Sequence, residues 1–260
     1  MKRDNIFWGT ALILVGVLLY LQNQGYITNI FRFFWPFTLI LLGGWIILGV
    51  YWKPSPSADD MFSIPLAAAQ SVRYSFAHGA GQLEISGGAP TGQAIVGTSA
   101  VGMNKSSHLN GDRLEVRVEA GPSFVPFIGP NEGVFRFQLT QAVPVLLNVE
   151  SGASVLNIDL KDIMATRLSL KTGASSTNVT MPARGVSILD VESGVASLNI
   201  HIPESTAARI RVKDGVTAMN VDTTRFPKLD TGIFQSPNYD TSTDRAEINI
   251  GGGLGSATVK

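Results

Sequence analysis

One motif recurs four times between Leu147 and Val221, and nothing else in the chain constrains the fold as much. The first copy is Leu147-Asn-Val-Glu-Ser-Gly152-Ala-Ser-Val-Leu-Asn157-Ile-Asp-Leu160, and the second is Leu168-Ser-Leu-Lys-Thr-Gly173-Ala-Ser-Ser-Thr-Asn178-Val-Thr-Met181. The third is Leu189-Asp-Val-Glu-Ser-Gly194-Val-Ala-Ser-Leu-Asn199-Ile-His-Ile202, and the fourth runs from Ile210 through Gly215 to Asn220-Val221. Glycines stand at 152, 173, 194 and 215 and asparagines at 157, 178, 199 and 220, so the period is 21 without a slip. Periods of this size mark stacked repeats, in which each unit buries its apolar face against its neighbours.

Within a repeat, Leu147 and Val149 are two apart, as are Leu156, Ile158 and Leu160. That alternation predicts two strands per repeat, each with one row inward. Gly152-Ala153-Ser154 lies between them and predicts a corner, where glycine can take positive φ without a Cβ clash. Pro182 and Pro203 are predicted to close second strands, because proline cannot donate to a ladder. The expected fold is a single-stranded, right-handed β-solenoid of repeats roughly 21 residues long, with mostly parallel strands.

A different kind of chain precedes the repeats. Lys2 and Arg3 lead into an apolar run from Ile6 to Leu21, and a second run spans Phe33 to Trp52. About 20 apolar residues cross a bilayer. Trp8, Tyr20, Trp35 and Trp52 sit near the run ends, where interfacial aromatics belong. No small-x-small cleavage site follows Tyr20, which argues against a signal peptide. Residues 1–53 are therefore expected to form a two-helix transmembrane hairpin. Lys2, Arg3 and Lys53 flank one side and Arg32 the other, so the positive-inside rule places both termini in the cytoplasm. A Pro/Ser-rich linker occupies 54–61, and residues 62–260 form the all-β domain.

Several stretches outside the four copies also read as strands. Tyr74 to Ile85 fits the motif with Gly79 in register and Glu84 in the asparagine column, as a first rung would. Asn110-Gly111 predicts a hairpin, with alternation resuming from Arg113 to Val118, and Val134 to Leu139 is another strand. Arg225 to Arg245 is a turn-rich insertion. Ile248-Asn-Ile-Gly-Gly-Gly253 to Val259 resumes the motif and is expected to be the terminal rung, with Thr258 in the asparagine column.

Two stretches resemble a known family. The run FWPFTLILLGGWIIL, with Trp35-Pro36 at its entry, resembles the membrane region of LiaI/LiaF-like proteins. FRFQLTQAVPVLLNVESGASVLNIDLKDI, continued by LSLKTGASSTNVTMP, resembles the LiaF-like C-terminal domain, also called a toast-rack domain. The resemblance implies a membrane-anchored component of the bacterial cell-envelope stress response. It also implies a protein partner, since some members restrain a two-component sensor kinase and its response regulator.

Enzymatic readings find little support. The chain has no cysteine and no net charge, so it offers neither thiolate chemistry nor an electrostatic case for nucleic acid. His78, His108 and His201 are dispersed, which predicts no metal site. No nucleophile elbow or clustered acid pair is evident. Gly251 to Gly255 lacks the strand-loop-helix context and the Lys-Ser/Thr of a phosphate loop. The chain is expected to be no enzyme and to use no cofactor.

The candidate partner-binding residues are surface features. Glu150, Lys171, Glu192 and Lys213 share one outward column and alternate in sign. Such a column is either a solvated charge ladder or a recognition stripe. Phe124 and Phe127 lie in Gly121-Pro-Ser-Phe-Val-Pro-Phe-Ile-Gly-Pro130, which is either a plug over an open solenoid end or a contact with membrane or partner. The asparagine column is expected to be an outward amide ladder, each side chain bonded to its copies. The leading reading is a membrane-anchored module whose cytoplasmic solenoid binds proteins in envelope-stress signalling. The alternatives are an outward-facing, adhesin-like or envelope-binding solenoid and a structural scaffold. Oligomeric state is not encoded in these features.

Overall fold

A computed structural model describes residues 20, 24–25, 61–99, 103–120, 134–213, 215–216, 218–253 and 255–260. The chain divides into two compact units, Met1–Lys53 and Pro54–Lys260. The expected transmembrane hairpin and linker lie almost wholly outside the described residues, as do Phe124 and Phe127. Among the described residues no helix is long and apolar enough to cross a membrane.

The described part of the second unit is all-β. Its strands are β1 (Met61–Pro65), β2 (Ser71–Gly87), β3 (Gln93–Ser99), β4 (Met103–Asn110), β5 (Arg113–Ala120), β6 (Val134–Leu139), β7 (Val145–Asp159) and β8 (Ala165–Thr180). They continue with β9 (Val186–His201), β10 (Ala207–Val212), β11 (Met219–Val221), β12 (Lys228–Asp230), β13 (Ile233–Gln235), β14 (Arg245–Gly252) and β15 (Ser256–Val259).

Strands β2, β7, β8 and β9 are long because each passes through the corner without a break. In β7 the inward residues are Val145, Leu147, Val149 and Ser151 before the corner, then Ser154, Leu156 and Ile158 after it. The inward set changes from odd to even numbers because Gly152 and Ala153 both face out. Two successive outward residues bend the strand, so its halves turn their apolar rows toward a shared core. Phe76 in the first half of β2 packs on Phe137 of β6 with ring centroids 5.0 Å apart. The Tyr74 hydroxyl donates to the Ala94 carbonyl at 2.5 Å, and burial pushes the pKa of that phenol up.

Register is set by the repeat. Leu147 lies beside Leu168, and Leu168 beside Leu189, in parallel ladders. The first rung behaves as expected: Leu83 pairs with Leu156 and Glu84 with Asn157. The asparagine ladder forms too, with Asn178 Nδ2 donating to Asn157 Oδ1 at 2.8 Å and Asn199 Nδ2 to Asn178 Oδ1 at 3.0 Å. The Asn110-Gly111 turn joins antiparallel β4 and β5, with Gly111 at φ 62°.

Gly215, the fourth corner glycine, takes the expected positive φ, at 103°, but the other three serve a different purpose. Gly152, Gly173 and Gly194 are not among the glycines with positive φ. They are needed because successive corners stack closely. A Cβ on Gly152 would lie 2.5 Å from the Gly79 carbonyl oxygen, one on Gly173 would lie 3.0 Å from that of Gly152, and one on Gly194 would lie 3.1 Å from that of Gly173. At these three corners steric room between rungs, not backbone handedness, selects glycine.

The stack also departs from a simple coil. The fourth copy, β10, does not adjoin the third, because β14 lies between them: Ile248 pairs with Leu189 on one side and with Ile210 on the other. In the second half β15 likewise separates β9 from β11, placing Thr258 between Asn199 and Asn220. The expected terminal rung is thus an interior one. Its Ile248 and Ile250 are fully buried and complete the same inward row as the repeats. A strand carrying the motif fits any gap in the stack, so sequence order does not fix stacking order. The β12–β13 hairpin covers the edge of β10 instead, held by Arg209, which bonds to Gln235 at 2.5 Å and stacks 4.3 Å from the Tyr239 ring centroid. At the other end the strands are antiparallel, β1 on β3 and β3 on β6. The result is a β-solenoid-like stack rather than one continuous winding.

Candidate interaction groove

The outward residues just before the corner line an open groove of about 1240 Å³. Ladder pairing builds its central column. Glu119 pairs with Ala77, Ala77 with Glu150, Glu150 with Lys171, and Lys171 with Glu192. Lys171 Nζ stands 4.0 Å from Glu192 Oε2, with both side chains more than half exposed. Such a pair contributes under about 1 kcal/mol.

Lys213 does not adjoin Glu192 as the sequence suggests. Gly251 of β14 pairs with Glu192 and occupies the place between them. Lys213 is the next position out: its N–H donates to the Ile250 carbonyl at 2.8 Å, and its stem passes 3.5 Å from where a Gly251 Cβ would be. All four expected residues therefore face one groove, but the alternation of sign breaks at a glycine. A smaller hollow of about 370 Å³ adjoins, between Arg117, Asn148 and Lys171.

A second outward row lies two residues further from the corner than the first. Asn148, Ser169, Asp190 and Asn249 follow each other across the ladder. Asp190 is held on both sides, by Arg167 at 3.3 Å and by Asn249 Nδ2 at 2.9 Å. Glu119 is paired with Arg117 at 2.5 Å. Among the described residues, Glu150 and Lys213 are the lining charges with no ion-pair partner.

Beneath the column the corner turns polar. Ser151 donates to Ser154 at 2.5 Å, and Thr172 to Ser193 at 2.9 Å. His78 occupies the same inward column, beside Ser151. Its ring sits edge-on to Phe135 at 4.8 Å, only 7 % of the residue is exposed, and its Nε2 has no hydrogen-bond partner. Burial pulls its pKa down, and a hydrogen bond to the Gly81 backbone opposes the shift. His108 and His201 are exposed on β4 and β9, so the structure does not bring the histidines together.

The sequence reading found the charged column but missed Ala77, Glu119, Asp190, Asn249 and Gly251 as lining residues. The signal for the last two was present in Ile248-Asn-Ile-Gly251, which matches Leu189-Asp-Val-Glu192 position for position in hydrophobic pattern. Nothing in the sequence says that the two segments pair.

Comparison with known proteins now bears on this geometry. Residues 53–201 match the family described as the N-terminal domain of toast_rack, DUF2154, which is more than half of the chain. The chain belongs to the toast-rack family. Residues 6–47 match the LiaI-LiaF-like transmembrane region, so this toast-rack protein is membrane-associated through its N-terminal segment. Its fold is similar to a crystal structure from Clostridium sporogenes described as a candidate cell adhesion protein. The TM-score is 0.70 at 18 % identity, covering 80 % of this chain and 99 % of that one. That likeness establishes the shared β architecture. No curated protein sequence matches the chain.

Proposed function

We propose that this toast-rack protein is a non-enzymatic, membrane-anchored interaction module of the bacterial cell-envelope stress response. In this reading the residues before the linker form two membrane spans, the regular repeats β7 to β9 wind right-handed with a period of about 21 residues, and the β domain lies in the cytoplasm. Its partner is a protein, with a two-component sensor kinase as the class that family membership favours. The observation that carries the reading is the alignment of Glu150, Lys171 and Glu192 on one exposed, rigid face lining a groove. Their pairing contributes little to folding, which leaves recognition and association rate as the effects a column of charges can have.

Two experiments test it. Glu150→Lys combined with Glu192→Lys should leave the melting temperature nearly unchanged and reduce the proteins that co-purify with the chain from stressed membranes. Retention of every partner at wild-type level would make the column a solvated face. A reporter fused after Lys260 should be active only on the cytoplasmic side. An external signal would favour the envelope-binding alternative, which the likeness to a protein described as adhesive makes worth keeping.

A further inference from the structure

The two charges of the groove that have no ion-pair partner among the described residues define what can occupy it. Glu150 is on β7, and Lys213 follows β10, with β8, β9 and β14 between them. Neighbouring strands are about 4.8 Å apart, so four spacings separate the two columns' ends by about 19 Å. An extended chain advances about 3.3 Å per residue, so about six steps, or seven residues, cover that span and leave the first and last side chains on the same face. The interior of the groove is already balanced: Lys171 stands by Glu192, and Asp190 is shared by Arg167 and Asn249. At Gly251 there is no side chain, which opens the groove wall one step before Lys213.

We propose that the groove takes an extended peptide segment about seven residues long, with a basic side chain against Glu150, an acidic one against Lys213, and small uncharged residues between. This rests on the reading of the face as a partner surface and adds the chemistry of the partner. The middle of the segment meets neutralised pairs and a glycine, where a further charge gains nothing and would lose hydration. Selectivity resides at the two ends.

The test uses the full chain in detergent and fluorescent heptapeptides with blocked termini. One carries Lys and Glu at its ends, one Lys at both, and one Glu at both, each with Ser-Gly between. The wild-type chain should bind the mixed peptide best, about fivefold over either like-charged one at low ionic strength, and salt should erase the difference. Lys213→Glu should move the preference to the doubly basic peptide and Glu150→Lys to the doubly acidic one. A mixed peptide with its charges only two residues apart should lose the advantage. Preferences that ignore the substitutions, or no preference at all, would overturn the inference. The partner-surface reading fails separately, if the Glu150→Lys/Glu192→Lys chain keeps all its membrane partners.

Discussion

Glycine at the corner is a steric requirement that relaxes from Gly152 through Gly173 to Gly194. The Gly152 position is the most crowded of the three regular copies, with 2.5 Å between a would-be Cβ and the Gly79 oxygen, against 3.1 Å at Gly194. Backbone atoms cannot rotate away, so the rungs themselves must separate. Gly152→Ala should cost about 1–3 kcal/mol, and Gly194→Ala less, measured by urea denaturation of the full chain in detergent followed in the β-sheet circular dichroism band. Equal, negligible effects would show that the corners are looser than drawn. His78 makes a second prediction at this scale. Its folded pKa lies below the usual histidine value, so the unfolded chain binds a proton that the folded chain resists. The contribution of the neutral ring is complete above about pH 6.5 and is lost as pH falls toward the lowered folded value. Thermal melts between neutral and mildly acidic pH should show a steeper loss for the wild type than for His78→Phe. Parallel curves would mean that the ring gains a partner on protonation.

Strands β7, β8 and β9 are the part of the molecule most legible in the sequence, because one pattern supplies inward row, corner and ladder at once. Leu198 and Ile200 are each 1 % exposed, while Asn199 between them faces out and bonds to Asn178. Leu198→Ala or Ile200→Ala should therefore cost about 2–5 kcal/mol and Asn199→Ala about 1 kcal/mol, in the same urea experiment. A larger loss at Asn199 would require the two rows to be exchanged. The same pattern made β14 illegible. Ile248 and Ile250 satisfy the inward row equally well at the end of the stack or inside it, and only the β12–β13 hairpin over β10 excludes the terminal place. The corner glycines were legible as a feature but not in their cause, since a single repeat cannot show how near the next one lies. Of the groove, Glu150, Lys171 and Glu192 could be read from the period alone, whereas Lys213 was displaced by the unforeseen Gly251.

The β domain presents two outer faces of different chemistry. One carries the charged column and its groove; the other carries the asparagine ladder, whose amides are largely occupied with one another. Family membership and the N-terminal match put this stack in a membrane-associated protein, and the charged face is the one we propose to meet the partner. The most direct measurement is site-specific photo-crosslinking in cells under envelope stress, with a photoreactive residue replacing Lys171 in one strain and Asn178 in another. These neighbours on β8 point out of opposite halves of the corner. The account predicts a discrete protein adduct from position 171, competed by envelope-stress partners at normal expression and reduced by Glu150→Lys, with none from position 178. An adduct from position 178 and none from 171 would contradict it.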